Sequence, residues 1–88
     1  MENLTWFETY GKKYHLKTPI TLTLSEYETG FYAENIQYGI AGAGNNKKDA
    51  IEDTRRNLGF LYEWKFDTSL PMPAEIPEWL EKIDKLME

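Results

Sequence analysis

Hydrophobic and polar residues alternate most regularly over residues 20–25. Ile20, Leu22 and Leu24 take every second position, and hydroxyl side chains take the positions between them. This alternation predicts a strand with one buried face and one solvent-exposed threonine face. A turn over 26–30 follows, in which Gly30 supplies the permissive backbone. An aromatic-rich strand is predicted next, over 31–36, so these two strands form a hairpin.

Weaker patterns flank this hairpin. Residues 4–10 alternate with both faces partly apolar, which favours a strand that ends in a turn over 10–13. Residues 14–16 read as extended, and Pro19 marks an edge or a bend. A further strand of small side chains is predicted over 39–43. Its glycines suggest that another element packs close to the backbone there.

A long amphipathic helix is predicted over 47–64. Asn46 is a favourable N-cap, and Asp49 stands three residues later, as in a capping box. One apolar stripe recurs at helical spacing and predicts the buried face: Ala50, Ile51, Thr54, Leu58, Leu61 and Tyr62. Glu52 and Arg56 are spaced to form an i,i+4 ion pair on the polar face.

The C-terminal part predicts a stiff linker and one more helix. Residues 67–77 contain three prolines, and Pro77 is suited to the first position of a helix over 78–88. The apolar residues of this helix recur at helical spacing: Trp79, Leu80, Ile83, Leu86 and Met87. So short a helix is marginal alone. It must dock on its own sheet, on Phe60 and Trp64, or on a partner chain.

These elements predict one α+β domain. An antiparallel sheet of three to four strands and one long helix form the core over 1–66, the linker spans 67–77, and the C-terminal amphipathic helix spans 78–88. Eighty-eight residues allow a modest core, which usually needs a disulfide, a metal or a partner. The chain has no cysteine and one histidine, which excludes disulfides and Cys- or His-based zinc sites. Association with another chain is therefore the remaining way to stabilise so small a core.

Charge narrows the class of partner. The net charge is −5, and residues 1–25 carry +1, so the remainder carries −6. Nucleic-acid-binding proteins usually present the opposite sign, and an acidic surface suits a basic protein partner or serves solubility alone.

No apolar run approaches the length of a membrane span, and the N-terminus does not resemble a signal peptide. We therefore expect a cytoplasmic protein with no direct contact to nucleic acid or membrane.

Candidate reactive groups are isolated in the sequence. Residues 39–44 are glycine-rich between a strand and a helix, but Asn45 and Asn46 stand where a phosphate-binding loop needs lysine and serine or threonine. His15 lies among lysines with no acid or nucleophile near it in sequence. Ser25 and Ser69 have no nucleophile-elbow context. Four acids could in principle gather around a hard metal: Glu26, Glu28, Glu34 and Asp49. Glu26 and Glu28 are better explained as residues of a solvated turn.

Apolar surface is the remaining candidate for function. Exposed apolar patches usually mark protein contacts. We predict a partner or oligomer interface from six residues of α-helical and small-residue segments: Phe60, Trp64, Trp79, Ile83, Ile40 and Tyr38. The alternative is that the last helix covers these residues within one chain. Catalytic residues, metal ligands and cofactors are not predicted.

Two stretches resemble the HicB-like antitoxin family. They are residues 30–35, which read GFYAEN, and residues 38–53, which read YGIAGAGNNKKDAIED. In the resemblance Gly44 matches the turn glycine, Asn46 the cap, Asp49 the capping acid and Ala50 the helix alanine. It covers residues 20–64. The family's Pro-x-Leu-Pro-Gly-Cys segment is absent, the first 18 residues are an extension, and about 24 residues follow Trp64, so no DNA-binding domain is expected.

The resemblance implies a fold and a function. The fold is a β-β-β-α core, like a partial ribonuclease-H fold without its catalytic carboxylates. The function is to bind and block a small basic messenger-RNA-cutting toxin of the HicA type, often as a homodimer. Two other hypotheses stand beside it. One is a structural or regulatory homo-oligomer that pairs edge strands or last helices, and the other is an enzyme or RNA-processing domain that depends on His15 or Glu34.

Overall fold

The computed structural model describes residues 2–66 and 73–87, and it confirms the α+β class. Four strands form one antiparallel sheet in the order β1-β2-β3-β4. The strands are β1 (Glu2–Thr9), β2 (Lys12–Tyr27), β3 (Gly30–Asn35) and β4 (Ile40–Gly44). Helix α1 (Lys47–Tyr62) leads into a short 3₁₀ helix (Glu63–Lys65), and helix α2 (Ile76–Asp84) follows the undescribed segment 67–72. The first six residues of the predicted linker, 67–72, therefore lie outside the described residues.

The first hairpin turns through Tyr10 and Gly11. Both residues have positive φ, 50° and 72°. Two successive positive φ values are the signature of the type I′ turn, whose twist matches that of the flanking strands. The predicted turn is therefore correct, although β1 begins two residues earlier than expected.

Strand β2 is longer than the sequence suggested, because it continues through Pro19. Leu4 pairs with Ile20 and Trp6 pairs with His15, so Thr5 alone lies opposite residues 16–19. This bulge bends the strand and tolerates a residue without an N–H group. The expectation of two separate extended pieces is wrong; they are one strand of 16 residues with an irregular middle.

The alternation over residues 20–25 is confirmed. Ile20 and Leu22 are 1% and 0% exposed, whereas Thr21 and Thr23 face solvent. The buried face carries the core, and α1 packs on it through Ala50, Thr54 and Leu58, all of them fully buried. Ile51 and Leu61 are half-buried and pack against the same cluster, as the helical stripe predicts.

Close packing of α1 on the sheet depends on glycine at Gly42. A Cβ atom at this position would lie 2.3 Å from the backbone nitrogen of Thr54. The prediction that an element approaches the backbone of the small-residue strand is therefore confirmed.

Helix α1 also contacts both edge strands, β1 and β4. Asp53 Oδ2 accepts a hydrogen bond from the Ala43 backbone N–H at 2.9 Å, and Asn57 Nδ2 donates to the Ala41 carbonyl at 2.7 Å. On the other flank of the helix, Arg55 Nε donates to the Trp6 carbonyl at 3.2 Å. Backbone groups of both edge strands thus bond to side chains of the same helix.

The ion pairs of α1 differ from expectation. Arg55, not Arg56, pairs with Glu52, and Arg56 instead pairs with Asp53 at 3.3 Å. Arg55 is drawn toward β1 by its bond to the Trp6 carbonyl and by stacking of its guanidinium 4.1 Å from the Trp6 ring centre. The helix proper ends at Tyr62, and the predicted last turn is 3₁₀.

Helix α2 begins and ends earlier than predicted. It starts at Ile76, so Pro77 takes the second position rather than the first, and it ends at Asp84. Leu86 and Met87 therefore do not continue the helix. Met87 bridges to Leu16, and the Leu86 carbonyl accepts hydrogen bonds from the backbone nitrogens of Lys17 and Thr18 at 2.6 and 3.2 Å. The bulge in β2 is the place where the C-terminal segment joins the fold.

Candidate protein-binding surface

Two of the six predicted interface residues are core residues. Ile40 is 2% exposed and Ile83 is 0% exposed. Ile40 is the first residue of β4, against which α1 packs, and Ile83 faces inward because α2 folds back onto its own chain. A partner cannot reach either side chain while the chain keeps this fold, so their assignment to an interface is corrected.

The other four lie at least partly at the surface. Phe60 is 56% exposed, and Trp64 is half-buried against the core. Tyr38 and Trp79 are also half-buried, and they lie together because Trp79 Nε1 donates a hydrogen bond to the Tyr38 carbonyl at 2.6 Å. The structure thus brings Tyr38 and Trp79 into one place, whereas Phe60 and Trp64 do not line the same depression.

Tyr38 and Trp79 belong to an open cleft of about 350 Å³. The turn after β3 forms one side, α2 forms the other, and α1 supplies a side chain between them. Five side chains give the cleft its apolar lining: Ile36, Tyr38, Leu61, Ile76 and Trp79. The cleft therefore collects apolar groups from three elements far apart in sequence.

The sequence pattern does not mark Ile36, Leu61 and Ile76 as parts of a binding surface. The sequence pattern places Ile36 at the end of a strand, but Ile36 lies in the turn between β3 and β4 and is 85% exposed. An aliphatic side chain so exposed in a turn is unusual. Leu61 and Ile76 reach the cleft only because α2 packs beside the end of α1, which no local pattern reveals.

Charged groups of the cleft lie along α2 and the turn before it. Glu75, Glu78 and Lys82 line it, and all three are exposed. Lys82 Nζ is 3.9 Å from Glu78 Oε1, a loose surface contact that contributes little. Because the two carboxylates of Glu75 and Glu78 outnumber the single ammonium group of Lys82, the rim beside the apolar lining is acidic.

The packing of α2 is fixed by a polar contact next to the cleft. The Tyr62 hydroxyl donates to Asp84 Oδ1 at 2.7 Å, and Lys65 Nζ donates to the same carboxylate oxygen at 2.9 Å. Burial raises the pKa of the Tyr62 phenol, and the hydrogen bond to Tyr62 raises the pKa of Lys65. Both groups therefore stay protonated at neutral pH and hold Asp84.

The predicted turn and cap residues form the start of α1. Asn46 Oδ1 accepts a hydrogen bond from the Asp49 backbone N–H at 2.8 Å, as an N-cap does. Asp49 Oδ2 accepts from Asn46 Nδ2 at 3.3 Å, so the reciprocal bond comes from the side chain. A Cβ at Gly44 would lie 2.5 Å from the Asp49 Cβ. The glycine-rich run therefore forms strand β4, and its last glycine packs against the first turn of α1.

No family model, curated protein or solved structure matches the chain. What the surface can do must therefore be judged from its chemistry.

The candidate metal-ligating and reactive side chains do not form a common site in the described part of the chain. Over residues 2–66 and 73–87, no three His, Asp or Glu side chains lie close enough to hold a metal ion. His15 is exposed on β2 opposite Trp6, and Glu34 is half-buried on β3. Ser69 lies outside the described residues.

In the same described ranges, no helix is both long and apolar enough to cross a membrane. The arrangement offers apolar contact and charge, which suits binding.

Proposed function

We propose that this chain is a non-catalytic protein-binding module of the HicB antitoxin kind, which binds a small basic RNA-cutting toxin of the HicA type and blocks it. The observation that carries the proposal is the order β2-β3-β4-α1, an antiparallel three-strand unit followed by one long helix. The resemblance over residues 20–64 implies this order.

The matched residues support the proposal through their structural roles. Gly44 lies against the first turn of α1, Asn46 caps it, and Ala50 is fully buried at the first inward-facing position. A larger side chain at 44 or 50 would meet packed atoms. These roles are compatible with the core that the resemblance implies, and strand β1 and helix α2 are additions to that core.

Charge supports the class of partner. The net charge of −5 opposes that of a basic toxin, and complementary charge speeds encounter and disfavours wrong partners. Carboxylates on the α2 side of the molecule stand next to exposed apolar groups. This combination suits a protein surface better than a phosphate backbone, which acidic groups would repel.

Co-expression tests the proposal in cells. A HicA-type toxin from the same genome is induced alone or together with this chain, and growth and messenger-RNA integrity are followed. Relief of growth arrest with intact messenger RNA is expected. Continued arrest and RNA cleavage, with the chain present as folded soluble protein, would count against toxin blocking.

The alternative to this proposal is a structural or regulatory homo-oligomer that pairs edge strands or last helices. Side chains of α1 already bond to backbone groups of both edge strands, and Leu80 and Ile83 of α2 are buried in their own chain. A homodimer through these elements would have to form beside these contacts or displace them. The solution mass, measured by light scattering at increasing concentration, tests for one directly.

A further inference from the structure

The cleft between the β3–β4 turn and α2 has the properties of an anchoring site for one side chain of a protein partner. We propose that it binds a basic segment through a single large apolar residue, whose lysine or arginine neighbours pair with Glu75 and Glu78. The proposal rests on the proposed function, because it assigns the place where the basic partner docks.

The size of the cleft sets the size of what it holds. Its volume of about 350 Å³ is near the lower end of small-molecule sites, roughly 300–1,000 Å³. An apolar side chain fits such a space, but a packed domain surface does not enter it. Ile36, Leu61 and Ile76 offer aliphatic contacts, and the Trp79 ring offers a flat aromatic one. Anchors of this kind usually supply most of the energy of an interface.

The walls of the cleft are held in position before any partner arrives. The hydrogen bond from Trp79 to the Tyr38 carbonyl joins α2 to the β3–β4 turn. The contact of Tyr62 with Asp84 joins α2 to the end of α1. All three elements that form the cleft are therefore tied together, which lowers the entropy lost on binding.

Charge selects a basic segment over other occupants. The Glu78 side chain is 75% exposed and its contact with Lys82 is loose, so its carboxylate is accessible to a cation from outside. Glu75 is exposed on the turn before α2 and adds a second carboxylate. A second copy of this chain brings its own net charge of −5, so like charges oppose self-docking.

Nuclear magnetic resonance with designed peptides tests the site without any toxin. The probe is a short peptide with one leucine flanked by lysines, and the two controls replace the leucine with serine or the lysines with glutamates. We expect the Trp79 indole and Ile36 methyl signals to shift with the probe and not with either control. Shifts that the serine control reproduces, or shifts confined to other residues, would overturn the proposal.

Two surface variants sharpen the test. Ile36→Ser removes an exposed apolar wall, and Glu78→Lys reverses a rim charge, so each should weaken binding of the probe roughly tenfold. Tyr27→Ser and Glu28→Lys are the matched controls, since both positions are exposed at the opposite end of β3. Equal weakening by a control and its matched variant would contradict the assignment of the site.

The outcomes separate this inference from the proposed function. If the chain blocks a toxin and Ile36→Ser and Glu78→Lys block it equally well, the cleft is not the docking place and the function stands. If the probe binds in the cleft but no toxin is blocked, the cleft stands and the toxin assignment fails. Concentration-dependent shifts of Ile36 and Trp79 without peptide would identify a second copy as the occupant and overturn the proposal.

Discussion

Gly59 of α1 lies against the backbone carbonyl of Glu8 in β1, and a Cβ atom at position 59 would be 2.2 Å from that oxygen. A glycine near the end of a long helix looks unfavourable by propensity alone. Here it allows the helix to approach the edge strand, while Asp53 and Asn57 reach the other edge at β4. The helix thus fits between the two edges of a curved sheet.

The Gly59→Ala variant therefore shows which of two effects on stability is larger, the helix propensity of alanine or the close packing of α1 against β1. Helix propensity favours alanine by about 1 kcal/mol. The contact with the Glu8 carbonyl, in contrast, requires packed backbone to move, and overpacking typically costs about 1–3 kcal/mol. We expect a net loss of stability in urea or thermal unfolding. Lys48→Ala, at an exposed position of the same helix, should be nearly neutral; a more stable Gly59→Ala protein would show that α1 does not pack this closely.

Leu58→Ala tests the buried face of α1. Leu58 is 0% exposed in the centre of the core, so truncation should cost about 2–5 kcal/mol. That is a large part of the stability of so small a domain, and the variant should be mostly unfolded. Phe60→Ala, two residues away at a 56% exposed position, should retain the fold. Similar melting of both variants would mean that the buried stripe is misassigned.

The bonds of Asp53 and Asn57 to β4 predict what happens when that edge is uncovered. Replacing both residues by alanine frees the Ala43 N–H and the Ala41 carbonyl, and unpaired edge groups favour strand pairing between molecules. We expect concentration-dependent self-association by light scattering, with about 0.5–1.5 kcal/mol lost per hydrogen bond.

Asp53→Asn is the control for this experiment, because its amide oxygen still accepts the Ala43 hydrogen bond. It should keep the mass of the unmodified chain at every concentration. A double-alanine variant whose mass also stays unchanged would show that these side chains do not protect the edge.

Much of the fold could be predicted because its signals are local. The alternation at Ile20 and Leu22 and the helical stripe through Leu58 each need only a few neighbouring residues, and the structure buries them as expected. The Asn46 cap is likewise readable from its own position and that of Asp49.

The remainder depends on contacts between distant segments. Strand β2 continues through Pro19 at a bulge whose Lys17 and Thr18 N–H groups bond to the Leu86 carbonyl, a contact between distant parts of the chain. The sequence pattern places Ile40 and Ile83 at an interface, but Ile40 is buried on β4, against which α1 packs, and Ile83 is buried where α2 folds back. The cleft was missed for the same reason, since Ile36 and Trp79 meet only in the folded chain.

Alkaline pH should weaken the attachment of α2. The pKa values of Tyr62 and Lys65 are raised above 10.0 and 10.5 in the folded chain, so both groups hold their protons more tightly there than in the unfolded chain. Their contribution is complete below the unfolded pKa values and is lost as pH rises through the folded ones. Unfolding free energy should therefore fall above about pH 10.

Tyr62→Phe checks the source of this dependence. It removes the phenol that titrates and the hydrogen bonds to Asp84 and Lys65, so stability at neutral pH should drop and the alkaline decline should be shallower. Tyr27→Phe, at an exposed position, should leave the alkaline decline unchanged. An identical decline in Tyr62→Phe and the unmodified chain would assign the effect to other groups.

The most direct measurement is an RNA-cleavage titration with purified components. A HicA-type toxin from the same genome is held at constant concentration while this chain is added, and cleaved RNA is quantified. Blocking by binding requires that cleavage fall with added chain and stop at a fixed molar ratio, with no cleavage by the chain alone. Undiminished cleavage at a large excess of folded chain, or RNA cutting by the chain itself, would contradict a non-catalytic antitoxin.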